Sequence, residues 1–172
     1  MARMEHGEDG MDGALILRLL LLLIVANGAP VLGKRLLGDV FASPLDGGAR
    51  FFDGRPLLGP AKTWRGLLLA VLAAAGCAPL VGFPAHLGAL LGAFAMAGDL
   101  FSSFVKRRLG LPSSSRAPGL DQIPEALLPL LAIAAPARLG AGEIVIVTGL
   151  FFFGSQALSR LMFDLRVRER PF

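Results

Sequence analysis

Residues 64–105 read WRGLLLAVLAAAGCAPLVGFPAHLGALLGAFAMAGDLFSSFV, and this stretch decides what kind of fold the chain adopts. Two apolar segments, 64–82 and 86–105, are joined only by Phe83-Pro84-Ala85. Each is close to the roughly 20 residues with which an α-helix crosses about 30 Å of hydrocarbon. So short a connection makes them an antiparallel pair. Working outward, residues 14–32 precede the pair and residues 123–137 and 143–163 follow it as further apolar helices. The segment 123–137 is short and carries Pro124, Pro129 and Pro136, so it is expected to kink or to span only part of the bilayer. The expected fold is an all-α integral membrane protein with about five transmembrane helices, forming one domain over residues 1–172.

Composition agrees with this reading. Of 172 residues, 54% are hydrophobic and 17% charged, and the mean hydropathy is +0.64, more apolar than a water-soluble core of this length requires. Glu5, Glu8, Asp9 and Asp12 make the N-terminus acidic, against the basic start of a cleaved signal peptide. Lysine and arginine alternate between the connections: six lie in 34–65, four in 106–116 and three after Phe163, whereas the other two connections offer only Arg138. The positive-inside rule then puts the N-terminus outside and the C-terminus in the cytoplasm. Both polar loops, about 34–65 and 106–122, face the cytoplasm from the plasma membrane. The net charge of +4 and isoelectric point near 10.2 are part of this signal and suit phosphates or lipid headgroups. No aromatic-rich basic surface points to nucleic acid.

Several features read as structure. Cys77 has no partner for an internal disulfide and lies in an apolar helix, where packing is its expected role. His6 and His86 are isolated and form no zinc pattern. Gly88, Ala89, Gly92, Ala93, Ala95 and Ala97 let helices approach closely and could also serve a homodimer. Phe151-Phe152-Phe153 reads as lipid-facing or packing bulk.

The chemistry-bearing residues fall at the edges of the apolar segments. Asp99 lies about two turns inside an apolar helix, and Asp99, Ser103 and Lys106 share one helical stripe. Arg107 and Arg108 follow, and after a Pro/Ser loop Asp121-Gln122 opens the fourth helix. Ionisable side chains beside hydrocarbon are costly and mark functional candidates. A hairpin that joins Asp99 to Asp121 offers hard oxygen ligands, and Mg²⁺ often needs only one or two protein carboxylates. The plainer alternative is that Asp121 caps a helix and Asp99 pairs with a nearby cation. In the first loop, Lys62 and Arg65 stand near the start of the second helix, where free N–H groups attract an anionic phosphate. The plainer alternative there is a positive-inside anchor with Trp64 at the interface.

Taken together, Asn27, Pro30, Asp53-Gly54-Arg55, Lys62-Thr63-Trp64-Arg65-Gly66, Gly98-Asp99, Ser103-Phe104, Lys106-Arg107-Arg108 and Asp121-Gln122 form an ordered set. The set resembles the CTP-dependent lipid cytidylyltransferases of the CDP-archaeol synthase type, smaller relatives of CDP-diacylglycerol synthase. Several motifs in the right order are far more specific than one. The resemblance covers most of the chain, from Asn27 to Asp121. It implies that the phosphomonoester oxygen of a lipid phosphate, such as 2,3-bis-O-geranylgeranylglycerol 1-phosphate, attacks the α-phosphorus of CTP and that pyrophosphate leaves. It also implies roles. Asp99 and Asp121 would hold Mg²⁺, with a second cation as an option, and Lys106 would join them in catalysis. Lys62, Arg65, Lys106 and Arg107 would contact phosphates, with Asn27, Asp53, Arg55, Thr63 and Ser103 as further substrate-binding residues.

Two departures keep the lipid open. Ser113-Ser114-Ser115-Arg116 stands where CDP-diacylglycerol synthases continue with Lys-Asp and His-Gly-Gly, which favours the smaller branch. Ile123-Pro124-Glu125 differs from the Asp-containing continuation of archaeal members, so phosphatidic acid or another bacterial lipid phosphate stays an alternative. The segment Asp46-Gly47-Gly48-Ala49-Arg50, with Gly59 beyond it, partly echoes CDP-alcohol phosphotransferases, but the next carboxylate of that signature falls on Thr63. A small transporter or assembly subunit, with Asp99 and Lys106 lining a polar path, is the non-enzymatic alternative.

Overall fold

The computed structural model describes residues 12–115 and 117–164, without the side chains of 159 and 161–164. The acidic start at Glu5 to Asp9, Arg116 and the basic tail after Phe163 lie outside the described residues. Five α-helices follow in order: α1 (Gly13–Leu37), α2 (Trp64–Cys77), α3 (Ala85–Arg108), α4 (Gln122–Ile133) and α5 (Ala141–Asp164). Among the described residues there is no strand, only isolated bridges Pro44–Thr63 and Arg50–Pro56 within the first loop. By length and apolarity α1, α2 with its 3-10 extension, α3 and α5 can each cross a bilayer.

Each boundary has a local cause. Asp12 caps α1, its Oδ1 accepting from the N–H groups of Ala14 and Leu15. The helix continues five residues past the expected Leu32, through Pro30, because proline removes only one ladder bond and Lys34 and Arg35 complement the helix C-terminus. Gly38, at positive φ, then ends it. The second span changes character near its end. Pro79 cannot donate to the preceding turn, and residues Ala78–Val81 tighten into a 3-10 turn that closes at Gly82. The fourth helix stops at Ile133 rather than 137, because Pro136 disfavours helical backbone in the residue before it. Its 12 residues make about 18 Å, well short of a bilayer.

The core is built around α3, which packs on α1, α2 and α4, while α5 packs on α4 and α1. Leu19, Leu22, Leu23 and Ala26 of α1 recur at helical spacing and are buried with Leu91 and Ala95 of α3 and Leu130 and Ile133 of α4. The small residues of α3 serve contacts within the chain. A Cβ at Gly92 would sit 2.7 Å from the Ala70 carbonyl oxygen, and one at Gly88 would overlap the Ala74 carbonyl of α2. Two of the six residues in the stripe that suggested a homodimer, Gly88 and Gly92, thus face α2. Gly98 does the same against α4, where a Cβ would overlap the carbonyl of Pro124. This contact sets α4 beside the lower half of α3, next to Asp99.

Candidate active site

The last three turns of α3, the start of α4, the loop between them and the end of the first loop enclose one polar cavity of about 270 Å³. Lys62, Asp99, Ser103, Lys106, Arg107 and Asp121, six of the residues singled out in sequence, line it. The helical stripe predicted for Asp99, Ser103 and Lys106 is the wall contributed by α3.

Two ion pairs dominate the cavity. Lys62 Nζ lies 2.5 and 2.6 Å from the two carboxylate oxygens of Asp99, joining the first loop to α3. Lys106 Nζ lies 2.6 Å from Asp121 Oδ1 and donates to the Ser115 carbonyl at 2.9 Å. Asp121 does not cap α4 through its side chain; its Oδ2 accepts from the Ala117 N–H at 2.8 Å instead. Ser102, one position from Ser103, is fully buried, and its single O–H lies within reach of the carbonyls of Leu120 at 2.6 Å and Gly98 at 2.9 Å, which ties the entry to α4 to α3.

Five other candidates stand outside this cavity, each with a different occupation. Arg65 is only 8% exposed, and its Nη1 donates to the carbonyls of Gly38 at 2.9 Å and Val40 at 2.5 Å. It holds the turn that leaves α1, where helix carbonyls lack partners, and is not part of the cavity lining. Thr63 caps α2, its Oγ1 accepting from the Gly66 N–H. Asn27 donates to the Leu23 carbonyl one turn back in α1. Arg55 donates to the carbonyls of Arg107 and Arg108 at the end of α3. Asp53 pairs with Arg108 at 2.5 Å, and the Arg108 guanidinium lies over the rings of Phe51 and Phe104. The structure engages Arg65, Thr63, Arg55 and Asp53 in shaping the first loop and its ends, and Asn27 in a contact within α1.

The Asp46 motif is likewise structural. Burial works against ionisation of its carboxyl, but N–H groups of Gly59, Leu58 and Gly48 outweigh it and hold the carboxyl below its ordinary range. At Asp53 desolvation is similarly outweighed, here by the Arg55 N–H and the Arg108 guanidinium. These contacts fold residues 38–63 back on themselves, with the Leu45 N–H donating to the Lys62 carbonyl. Lys62 is presented by that fold.

Glu125 and Ser113 to Ser115 also line the cavity and were not among the candidates. Glu125 follows Asp121 by four residues, hence the same helical face, and is an ionisable residue in an apolar helix. That spacing was the available signal. For the serines there was none, because their place depends on how the loop turns.

The donor set suits Mg²⁺. Among the described residues no group of three or more His, Cys, Asp or Glu side chains forms a metal cage by itself. The cavity instead presents the carboxylates of Asp99 and Asp121, each already holding a cationic group at 2.5–2.6 Å, with the carboxyl of Glu125 lining the same cavity. Such oxygen donors match an ion that binds through one or two carboxylates and completes its shell with water and substrate phosphate.

A family model described as "CarS-like: CDP-archaeol synthase" matches residues 74–166, more than half of the chain. A CDP-archaeol synthase of Saccharolobus islandicus is 32% identical over 153 residues, covering 86% of this chain and 89% of that protein. One from Thermococcus onnurineus is 42% identical over 132 residues, 70% of this chain and 74% of its own. One from Hyperthermus butylicus is 46% identical over 109 residues, 58% of this chain and 60% of that protein. A solved chain described as "Structural insight into an intramembrane enzyme for archaeal membrane lipids biosynthesis" superposes with a TM-score of 0.72 at 31% identity, covering 83% of this chain and 90% of that one. With half of the chain matched by the family model and a 32% identical relative matched over most of its length, the chain belongs to the CDP-archaeol synthase family.

Proposed function

We propose that this protein is a CTP-dependent cytidylyltransferase that converts an archaeal-type ether lipid phosphate to a CDP-lipid in membrane lipid biosynthesis, and that the cavity between the first loop, α3 and α4 is where the transfer occurs. The observation that carries the assignment of the site is the pair of lysine–carboxylate contacts, Lys62–Asp99 and Lys106–Asp121, facing one cavity at the polar end of the bundle. Family membership removes the transporter reading. The cytoplasmic orientation of both loops rests on the lysine and arginine distribution, and the plasma membrane is the location that this reading assigns.

In this reading both substrates are anions, and cations must bring them together. Lys62 and Lys106 turn from their carboxylates to the incoming phosphates, and Arg107 receives further phosphate oxygens. The carboxylates of Asp99 and Asp121, released from the lysines, are the groups that would hold Mg²⁺. A bound Mg²⁺ would supply charge neutralisation for the triphosphate and the departing pyrophosphate. The lipid phosphate oxygen forms a bond to the α-phosphorus as the bond to pyrophosphate breaks, with no covalent protein intermediate. Catalysis here is alignment and electrostatic stabilisation. The tails stay among the exposed apolar side chains of the helices while the phosphate reaches the cavity. At about 270 Å³ the cavity lies just below the roughly 300 Å³ at which small-molecule sites begin, so part of each substrate extends beyond it.

The test is to supply purified protein with labelled CTP, Mg²⁺ and a panel of ether- and ester-linked lipid phosphates. CDP-lipid with equimolar pyrophosphate is expected, with preference for the ether lipid. A preference for phosphatidic acid would move the substrate to the bacterial type, and failure with every lipid would remove the assignment.

A further inference from the structure

We propose that Arg107 and the hydroxyls of Ser113 and Ser115 form the seat for the terminal phosphates of the triphosphate, where pyrophosphate is held after transfer. The proposal rests on the cytidylyl-transfer reading above and adds to Arg107 two hydroxyls, those of Ser113 and Ser115, that are absent from the motif set.

Arg107 is the starting point. It stands in the last turn of α3, is only 5% exposed and lines the cavity. The two other cavity cations, Lys62 and Lys106, face carboxylates, whereas Arg107 pairs with none among the described residues. Its Nη2 donates to the Pro112 carbonyl at 2.6 Å, and its Nε, shielded from solvent, has no acceptor. A buried cation with an unused donor calls for an anion, because loss of hydration is otherwise uncompensated.

The serine loop supplies the matching donors. Ser115 Oγ is also shielded and without a partner, and Ser115 lines the same cavity. Its N–H closes a turn on the Pro112 carbonyl, and its own carbonyl accepts from Lys106. Ser113 is brought in from the other side by Gly59 of the first loop. A Cβ at that glycine would lie 3.2 Å from Ser113 Oγ and 3.9 Å from Arg107 Nη1, so the absence of a side chain lets loop, hydroxyl and guanidinium converge. Gly59 also has a φ of +97°, which disfavours any other residue. A guanidinium with two hydroxyls is suited to tetrahedral oxyanions.

The chemistry places a need for such a seat. As the lipid phosphate oxygen bonds to the α-phosphorus, the bond from that phosphorus to the oxygen bridging to the β-phosphorus breaks. Its electron pair stays on that oxygen, which becomes a terminal oxygen of pyrophosphate. Donors placed on the β- and γ-phosphates stabilise this charge more in the transition state than in bound CTP. The same donors could instead receive the lipid phosphate, and the experiment separates the two.

Full-length protein in detergent is titrated calorimetrically with inorganic pyrophosphate, and transfer kinetics are measured with pyrophosphate as product inhibitor. Comparison is with Ser113→Ala/Ser115→Ala and with Ser115→Thr, which keeps the hydroxyl. The double variant is expected to weaken pyrophosphate binding and raise KM for CTP by about tenfold, the order expected for lost hydrogen bonds to a charged group. KM for the lipid phosphate and the thermal midpoint stay near wild type, and Ser115→Thr retains most of the affinity. Unchanged pyrophosphate binding in the double variant overturns the proposal, as does a rise confined to KM for the lipid phosphate. Serine-dependent pyrophosphate binding by a protein that makes no CDP-lipid keeps the seat and overturns the reaction instead.

Discussion

Lys62 and Arg65 lie three residues apart in one motif, yet their charges do opposite work. Lys62 reaches across to Asp99, a partner that a substrate phosphate or a metal can displace. Arg65 is spent on two backbone carbonyls, Gly38 and Val40, in the turn that leaves α1. The same contrast separates the cavity from the outer clamp of Asp53, Arg55 and Arg108, whose contacts run largely to backbone oxygens at the end of α3 and in the first loop. A charge held by another mobile charge is available for chemistry, whereas one held by main-chain carbonyls is committed to shape.

Breaking the cavity side should have the largest effect. Asp99→Asn and Asp121→Asn are expected to lower CDP-lipid formation by about 10³-fold, on the scale of removing a principal electrostatic element, with little change in thermal midpoint. Retained activity in either would dissolve the distinction between cavity and clamp. Gly98→Ala attacks the wall that both share. Its methyl group overlaps the Pro124 carbonyl, so α4 must move from α3, at a cost of about 1–3 kcal/mol and with loss of activity through displaced Asp121. A wild-type melting curve would show that this contact does not set the register.

Arg65→Ala tests the clamp. The variant is expected to lose about 2 kcal/mol by leaving charge-assisted hydrogen bonds unmade, while the folded fraction keeps a near-normal KM for CTP. A large KM change with unaltered stability would return Arg65 to the phosphate site. The smallest effect belongs to Asp46. Its folded-state carboxyl titrates below its unfolded value, so the stabilisation is present above about pH 4 and fades as pH falls through the folded value. Hydrogen exchange at the Leu58 and Gly59 amides should rise there in wild type, relative to a neighbouring helix, and be high at all pH values in Asp46→Ala. Amides that stay protected in that variant would show that the loop does not depend on this carboxylate.

Much of the site was legible because its residues obey a local period. Asp99, Ser103 and Lys106 share a face by helix geometry alone, and Asp121 opens the next helix after one short loop. Apart from Asn27 within α1, the candidates that fell outside the cavity came from the first loop and the start of α2 just after it, where no period dictates direction. Arg55 and Arg65 carry the same charge as Lys62, and only the hydrogen-bond partners that the folded loop provides distinguish them. Helix ends were blurred at the prolines for a related reason. Pro30 is absorbed within α1, Pro79 turns the end of the second span into a 3-10 turn and Pro136 follows α4, according to which neighbours remain to accept and donate.

By itself the sequence determined the membrane character, the five apolar helices and the stripe of cavity residues on α3, because hydrocarbon burial and helical period act residue by residue along the chain. Only the tertiary structure decided which cations face a carboxylate, which hold backbone and which, like Arg107, are left with an unused donor. Those outcomes depend on close approaches between distant segments, at Gly59, Gly92 and Gly98, and on where each buried polar group finds its partner.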